Sequence, residues 1–158
     1  MSREPPERVM GPFTPHLEPA AACEAALSAL ADSSNRLNSA AEAVEAPNAG
    51  EVLRELAADR EDSRMMLVRV AVESGLDFDA DQPGTLTGSI GDSWLQVEGA
   101  LDGDAEVIAS LRREEDGLVD ALARLLEIDL PPEVEEVVRG AVARVAEGLE
   151  RLDRLETD

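Results

Sequence analysis

Hydrophobic residues recur every three or four positions along four long segments of this chain. The spacing places them on one face of an α-helix, and it predicts helices over residues 19–45, 49–74, 104–127 and from about residue 132 to the carboxyl end. Asn48 and Glu51 are spaced to form a reciprocal cap at the start of the second helix. The pattern therefore predicts an all-α protein.

The lengths of the connections predict how the helices are arranged. Two connections are about three residues long, which forces helices one and two, and helices three and four, into antiparallel hairpins. The middle connection, residues 76–103, can run the full length of the bundle and so make helices two and three parallel. From Thr85 onward it carries a helical stripe that includes Trp94, which predicts a short fifth helix. This order of connections is typical of a ferritin-like four-helix bundle with one crossover.

The amino-terminal residues differ in composition from the rest. Residues 1–18 are rich in proline and show no hydrophobic period, so we expect an irregular tail there. Residues 19–158 are expected to form a single helical-bundle domain.

Polar residues interrupt the apolar stripes of the first three helices near their midpoints. They are Ser34 in the first helix, Arg60 and Ser63 in the second, and Glu115 in the third. A buried charge is tolerable only when it is paired and hydrogen-bonded. We therefore expect a mid-bundle polar layer in which Arg60 pairs with Glu115 while the two serines satisfy remaining donors and acceptors. In the alternative, both charged side chains rotate outward into solvent.

The charge balance limits the choice of partners. The chain has 35 acidic and 14 basic residues, for a net charge of -21. This excess argues against a nucleic-acid partner and against an anionic membrane, both of which need basic patches. The simplest interpretation of the acidic excess is that it keeps the protein soluble. The alternative is that it attracts a cationic partner or a metal. The single cysteine, Cys23, excludes an internal disulfide, and no secretion signal or membrane span is read from the sequence, so a cytoplasmic location is expected.

Two kinds of metal site can be tested against the sequence. Asp77, Asp79 and Asp81 alternate as at the start of a calcium loop, but Gln82 and Gly88 stand where such a loop needs glycine and glutamate. A ferritin-like di-iron centre needs two Glu-x-x-His pairs, and the chain has one histidine, in the tail. We therefore expect neither a di-iron centre nor another metal site or cofactor.

Several sequence runs resemble an uncharacterised bacterial domain family of the ferritin-like superfamily. They are AAEAVEAPNAGEVLRELAADR, PGTLTGSIGDSW, DGDAEVIASLRREEDGLVDALARLL and LPPEVEEVVR, and the resemblance covers residues 23–152. Its most specific elements are the turn that ends at Gly88, Trp94, and the set Arg113, Glu115 and Asp116. The resemblance implies a four-helix bundle of undetermined biochemical role.

The chain departs from that family at two places. Family members commonly have a His-Arg pair shortly before the tryptophan, where Gly91 and Asp92 stand here. They commonly have a Gly-Tyr pair in helix one, where Arg36 and Leu37 stand here. A role that depends on those side chains is therefore not implied for this chain.

The sequence favours a non-enzymatic role. No set of nucleophile, base and orienting residue, and no phosphate-binding loop, can be named, so no catalytic residue is expected. The leading interpretation is a protein-interaction or oligomerisation module. The alternative is a bundle that binds a metal or small ligand through Glu115, with Glu42, Asp59 or Asp62 as additional carboxylates.

The net charge leads to a prediction about stability. Repulsion between like charges destabilises the compact state. Added monovalent salt at 0.1 M screens the repulsion between exposed charges that are more than about 10 Å apart. We expect the melting temperature, followed by circular dichroism, to rise between low and moderate salt. A melting temperature that is unchanged or lower would contradict this explanation.

Overall fold

A computed structural model describes residues 18–76 and 103–157, and the regular structure in these ranges is helical throughout. The four helices are α1 (Pro19–Ala43), α2 (Pro47–Glu73), α3 (Asp104–Leu125) and α4 (Pro132–Thr157). The predicted all-α class and the four packed helices are therefore confirmed for this part of the chain. The predicted fifth helix lies outside the described residues, as does the predicted tail apart from Glu18.

Proline sets the beginning of three of the four helices. Pro19, Pro47 and Pro132 are the first residues of α1, α2 and α4. The fixed φ of proline suits the first helical turn, where its missing N–H would have no helical partner. The predicted cap of Asn48 with Glu51 is wrong, because α2 starts at Pro47, two residues earlier than predicted, with Ala46 at the cap position and no side-chain cap.

The link between α1 and α2 is bound by the first residue of α3 instead. The Asp104 carboxylate accepts hydrogen bonds from the backbone N–H of Glu45, at 2.9 Å, and of Ala46, at 3.1 Å. Backbone amides at the start of a helix otherwise need water or a capping side chain. This contact holds the amino end of α3 beside the carboxyl end of α1.

The buried apolar side chains form two clusters, one toward each end of the bundle. The first joins the amino-terminal halves of α1 and α4 with the carboxyl-terminal halves of α2 and α3. The second joins the opposite half of each helix. Typical members are Leu30, Leu67, Leu122 and Val145 in the first cluster and Leu37, Leu53, Leu111 and Leu152 in the second. Helices α1 and α4 therefore run in one direction and α2 and α3 in the other.

The packing order places α2 and α3 across the bundle from each other. Helix α1 packs against α2 and α3, and α4 packs against the same two. Long side chains of α2 and α3 can therefore meet in the centre, between the two apolar clusters. None of the helices in the described ranges has the length and continuous hydropathy that crossing a membrane requires.

Candidate functional site: a central ion-pair cluster

Glu115 occupies the centre of the bundle. It lies near the midpoint of α3, on the same face as Leu111, Leu118 and Leu122, and its side chain is fully buried. Residues three and four positions apart share a helix face, so the spacing that buries these leucines also buries the carboxylate. A carboxylate at this depth loses its hydration, which costs several kcal/mol unless other groups replace the water.

Donors from α1 and α2 replace that hydration. Arg60 Nε donates to Glu115 Oε1 at 3.1 Å, and Arg36 Nη2 donates to Oε2 at 3.4 Å. The Ser33 hydroxyl lies 2.9 Å from Oε1 and 2.8 Å from Oε2 and donates to the carboxylate. All four side chains are buried. Both oxygens of Glu115 are therefore engaged, and two guanidinium groups offset its charge.

Asp59 extends this network to the surface. Arg60 Nη1 donates to Asp59 at 3.0 Å, and Arg144 Nη1 of α4 lies 3.2 Å from the same carboxylate. The side chains of Asp59 and Arg144 are 30% and 41% exposed, so the network ends in the groove between α2 and α4. Each of the four helices contributes to it. The central ion-pair cluster is Ser33, Arg36, Asp59, Arg60, Glu115 and Arg144.

The cluster combines three guanidinium groups with two carboxylates. A buried ion pair contributes little net stability over apolar residues of the same volume, because desolvation offsets the attraction between the charges. Removing one member is far more costly, since its partner is left charged in a medium of low dielectric constant. The cluster therefore specifies which side chains meet more than it adds to the free energy of unfolding.

The structure brings together two of the four residues expected in the polar layer. Arg60 and Glu115 form the pair described above and do not rotate into solvent. Ser63 lies beside the cluster, where its hydroxyl oxygen accepts a hydrogen bond from Arg144 at 3.4 Å. Ser34 does not contact the pair, and its hydroxyl donates to the carbonyl oxygen of Ala57 on α2, at 3.2 Å.

Three members of the cluster were missed by reasoning from the sequence. Ser33 and Ser34 are adjacent on the buried side of α1, and the hydrophobic period does not decide which one faces Glu115. The sequence does contain an indication that Arg36 belongs to the cluster. Arg36 is the only basic residue between positions 19 and 53, and it lies three positions from Ser33. Arg144 reaches Asp59 from a helix whose apolar stripe is unbroken, so that stripe gave no indication of it.

The additional carboxylates considered as ligands do not gather around Glu115. Glu42 and Asp62 are exposed, and Asp59 is bound to arginines. Within residues 18–76 and 103–157, no group of three or more His, Cys, Asp or Glu side chains is arranged to hold a metal ion. A carboxylate whose two oxygens accept from guanidinium and hydroxyl groups is not free to coordinate a cation.

Cys23 is the one thiol of the chain, and it lies in the first apolar cluster. Burial, and to a smaller extent the nearby charge of Glu24, raise the pKa of Cys23 from 9.0 to about 11. The thiolate is the nucleophilic form of cysteine. Cys23 is therefore protonated at neutral pH and acts as a small apolar core residue.

Gly148 on α4 allows the close approach of Arg60. A Cβ atom added at Gly148 would lie 2.7 Å from Arg60 Nη2 and 3.3 Å from Leu56 Cδ2. Arg60 Nη2 has no hydrogen-bond partner among the described residues, and it packs against this glycine. Because Nε and Nη1 of Arg60 are bound to Glu115 and Asp59, the guanidinium cannot move aside without losing those bonds.

Replacing Glu115 tests the cluster. We expect Glu115→Ala to lower the free energy of unfolding by about 3 kcal/mol or more, because Arg36 and Arg60 lose their shared counter-charge in the core. Replacing Glu115, Arg60 and Arg36 together with Leu and Met should cost less than the single change, since no buried charge is left unpaired. Urea unfolding followed by circular dichroism measures both. Equal losses would contradict the assignment, and Glu114→Ala, at an exposed neighbouring position, is the control.

Gly148→Ala tests the close contact with Arg60. Alanine favours a helix over glycine by about 1 kcal/mol, but here we expect a net loss of about 1–3 kcal/mol because the added methyl group displaces a bound guanidinium. Gly117→Ala and Gly140→Ala are matched controls, since a Cβ at either position meets nothing within 4 Å. Those two changes should be neutral or stabilising in thermal unfolding. A stabilising effect at position 148 would show that Arg60 has room to move.

Comparison with known proteins gives no match to a family model, a curated protein or a solved structure. The resemblance to an uncharacterised bacterial ferritin-like family therefore stays a prediction.

Proposed function

We propose that this protein is a non-enzymatic helical module that acts by binding another protein molecule through the outer surface of α2. Among the described residues, the exposed large hydrophobic side chains all lie in the second half of this helix. They are Met65, Met66 and Val72, with exposed fractions of 59%, 41% and 59%. These three residues are the α2 patch.

The exposure of the α2 patch is the observation that carries the proposal. Contiguous apolar residues rimmed by charged ones mark protein-binding surfaces on soluble proteins. Methionine is common in such surfaces because its unbranched, polarisable side chain adapts to different partners. Burying one side chain of this size contributes about 1.5–3 kcal/mol, so a few of them can support a specific contact.

The engagement of Glu115 favours this proposal over a ligand-binding centre. A bundle that binds a metal or small molecule through Glu115 would need free acceptor oxygens there, whereas two arginines and a serine donate to both oxygens. We therefore assign a structural role to the cluster and a binding role to the surface. The antiparallel neighbours and the parallel, diagonally placed α2 and α3 support a ferritin-like architecture. The presence of one cysteine supports a cytoplasmic location.

Site-specific photo-crosslinking in the host cell tests the binding role of α2. With Met66→p-benzoylphenylalanine we expect an adduct of defined mass, because a bound partner places its C–H groups against the patch. The same amino acid at Asp120, an exposed position on α3, is the control.

The adduct at position 66 should disappear when Met65→Glu and Val72→Glu are introduced as well. Both positions are exposed, so the charges should weaken binding without unfolding the bundle. Equal adduct patterns at positions 66 and 120, or an adduct that persists with the charged patch, would refute the proposal.

A further inference from the structure

Two residues of opposite charge lie at equal distances on either side of the two methionines of α2. Asp62 lies three positions before Met65, and Arg69 lies three positions after Met66. All four side chains are exposed. Positions i, i+3, i+4 and i+7 share one face of a helix, so an acidic group, two methionines and a basic group form a line along the outer surface of α2.

We infer that the partner of the α2 patch is a second copy of this chain, bound with the two α2 helices antiparallel about a twofold axis between Met65 and Met66. This inference rests on the binding role proposed for α2. A twofold contact is isologous, so the same surface must be complementary to itself. The axis places Met65 of one copy against Met66 of the other, and the reverse.

The charges select this orientation. In the antiparallel arrangement, Asp62 of each copy lies opposite Arg69 of the other, which gives two ion pairs flanking the methionines. A parallel twofold arrangement would instead place Asp62 against Asp62 and Arg69 against Arg69. Like charges in direct opposition are unfavourable, so the same sequence disfavours the parallel arrangement.

The remaining basic residue next to the methionines does not compete for Asp62. Arg64 donates from Nε and Nη2 to the Glu61 carboxylate, at 2.8 to 3.1 Å. These hydrogen bonds also lower the pKa of Glu61, so this carboxyl is charged at neutral pH. Because Arg64 is held by Glu61, Asp62 and Arg69 are the charges that flank the two methionines at helical spacing, and Glu73 lies one turn further on, beside Val72.

The dimer is expected to be weak. One helix on each side buries less surface than a standard protein interface, and such contacts associate transiently. The net charge of -21 on each copy adds repulsion. We therefore expect dissociation in roughly the micromolar range at moderate salt, where the long-range repulsion is screened.

Sedimentation of the full chain with exchanged charges tests the inference. Asp62→Arg and Arg69→Asp should each weaken the dimer by about tenfold or more, because each places like charges together at two points of the interface. The double variant restores both ion pairs in reversed order, and its dissociation constant should return to within about threefold of the parent. Asp120→Arg is the control, since it changes the net charge as Asp62→Arg does, at a site away from α2. Circular dichroism confirms that each variant is folded.

The outcomes separate this inference from the proposed function. Weakening by both single variants with rescue by the double variant supports the antiparallel dimer. A dimer that is insensitive to the charges at 62 and 69 overturns the inference, because self-association then uses another surface. If the chain is a monomer but position 66 still crosslinks to another protein, the inferred dimer is wrong and the proposed binding role of α2 stands. If the chain is a monomer, its methionines resist oxidation and position 66 forms no crosslink, then its own residues cover the patch. In that case both the second copy and the binding role are wrong.

Discussion

The fold depends on satisfying one carboxylate in a place that water does not reach. Glu115 lies between two apolar clusters, and its oxygens accept from Ser33, Arg36 and Arg60. These donors come from two other helices and their side chains have limited length, so they restrict the relative heights of α1, α2 and α3. A sliding shift of any of these helices by one turn would leave the donors several ångströms from the carboxylate. Apolar packing alone tolerates such shifts far better than a buried charge does.

The sequence was informative where periodicity and connection length decide the structure. Four stripes at helical spacing and two short connections predict the number of helices and the antiparallel hairpins, and Arg60 and Glu115 are recognisable as charges inside apolar stripes. It is harder to predict from the sequence which of two neighbouring side chains on a helix reaches the cluster. Ser33 and Ser34 differ by about 100° around the helix, and both fall on the broad buried side of α1. The cap at Asn48 failed because proline at position 47 sets the start of α2 more strongly than a capping side chain does.

The interior and the surface of this bundle use charge in different ways. In the interior, Ser33, Arg36 and Arg60 donate to both oxygens of Glu115, which leaves no acceptor of Glu115 for a ligand. On the outer side of α2, Asp62 and Arg69 stand in solvent beside exposed methionines. Of these two places in the described part of the chain, the second offers side chains that still have water to release on binding. This contrast favours the surface over the interior as the place where a partner binds.

The close contact of Arg60 with Gly148 links two positions that are far apart in the sequence. As long as arginine occupies position 60 in this conformation, a side chain at position 148 would displace its guanidinium. If a shorter residue replaced the arginine, the restriction on position 148 would be lifted, and alanine or serine could fill the space. Homologous chains should therefore vary at these two sites jointly. Such paired variation would identify relatives that share this interior, even where their overall identity is low.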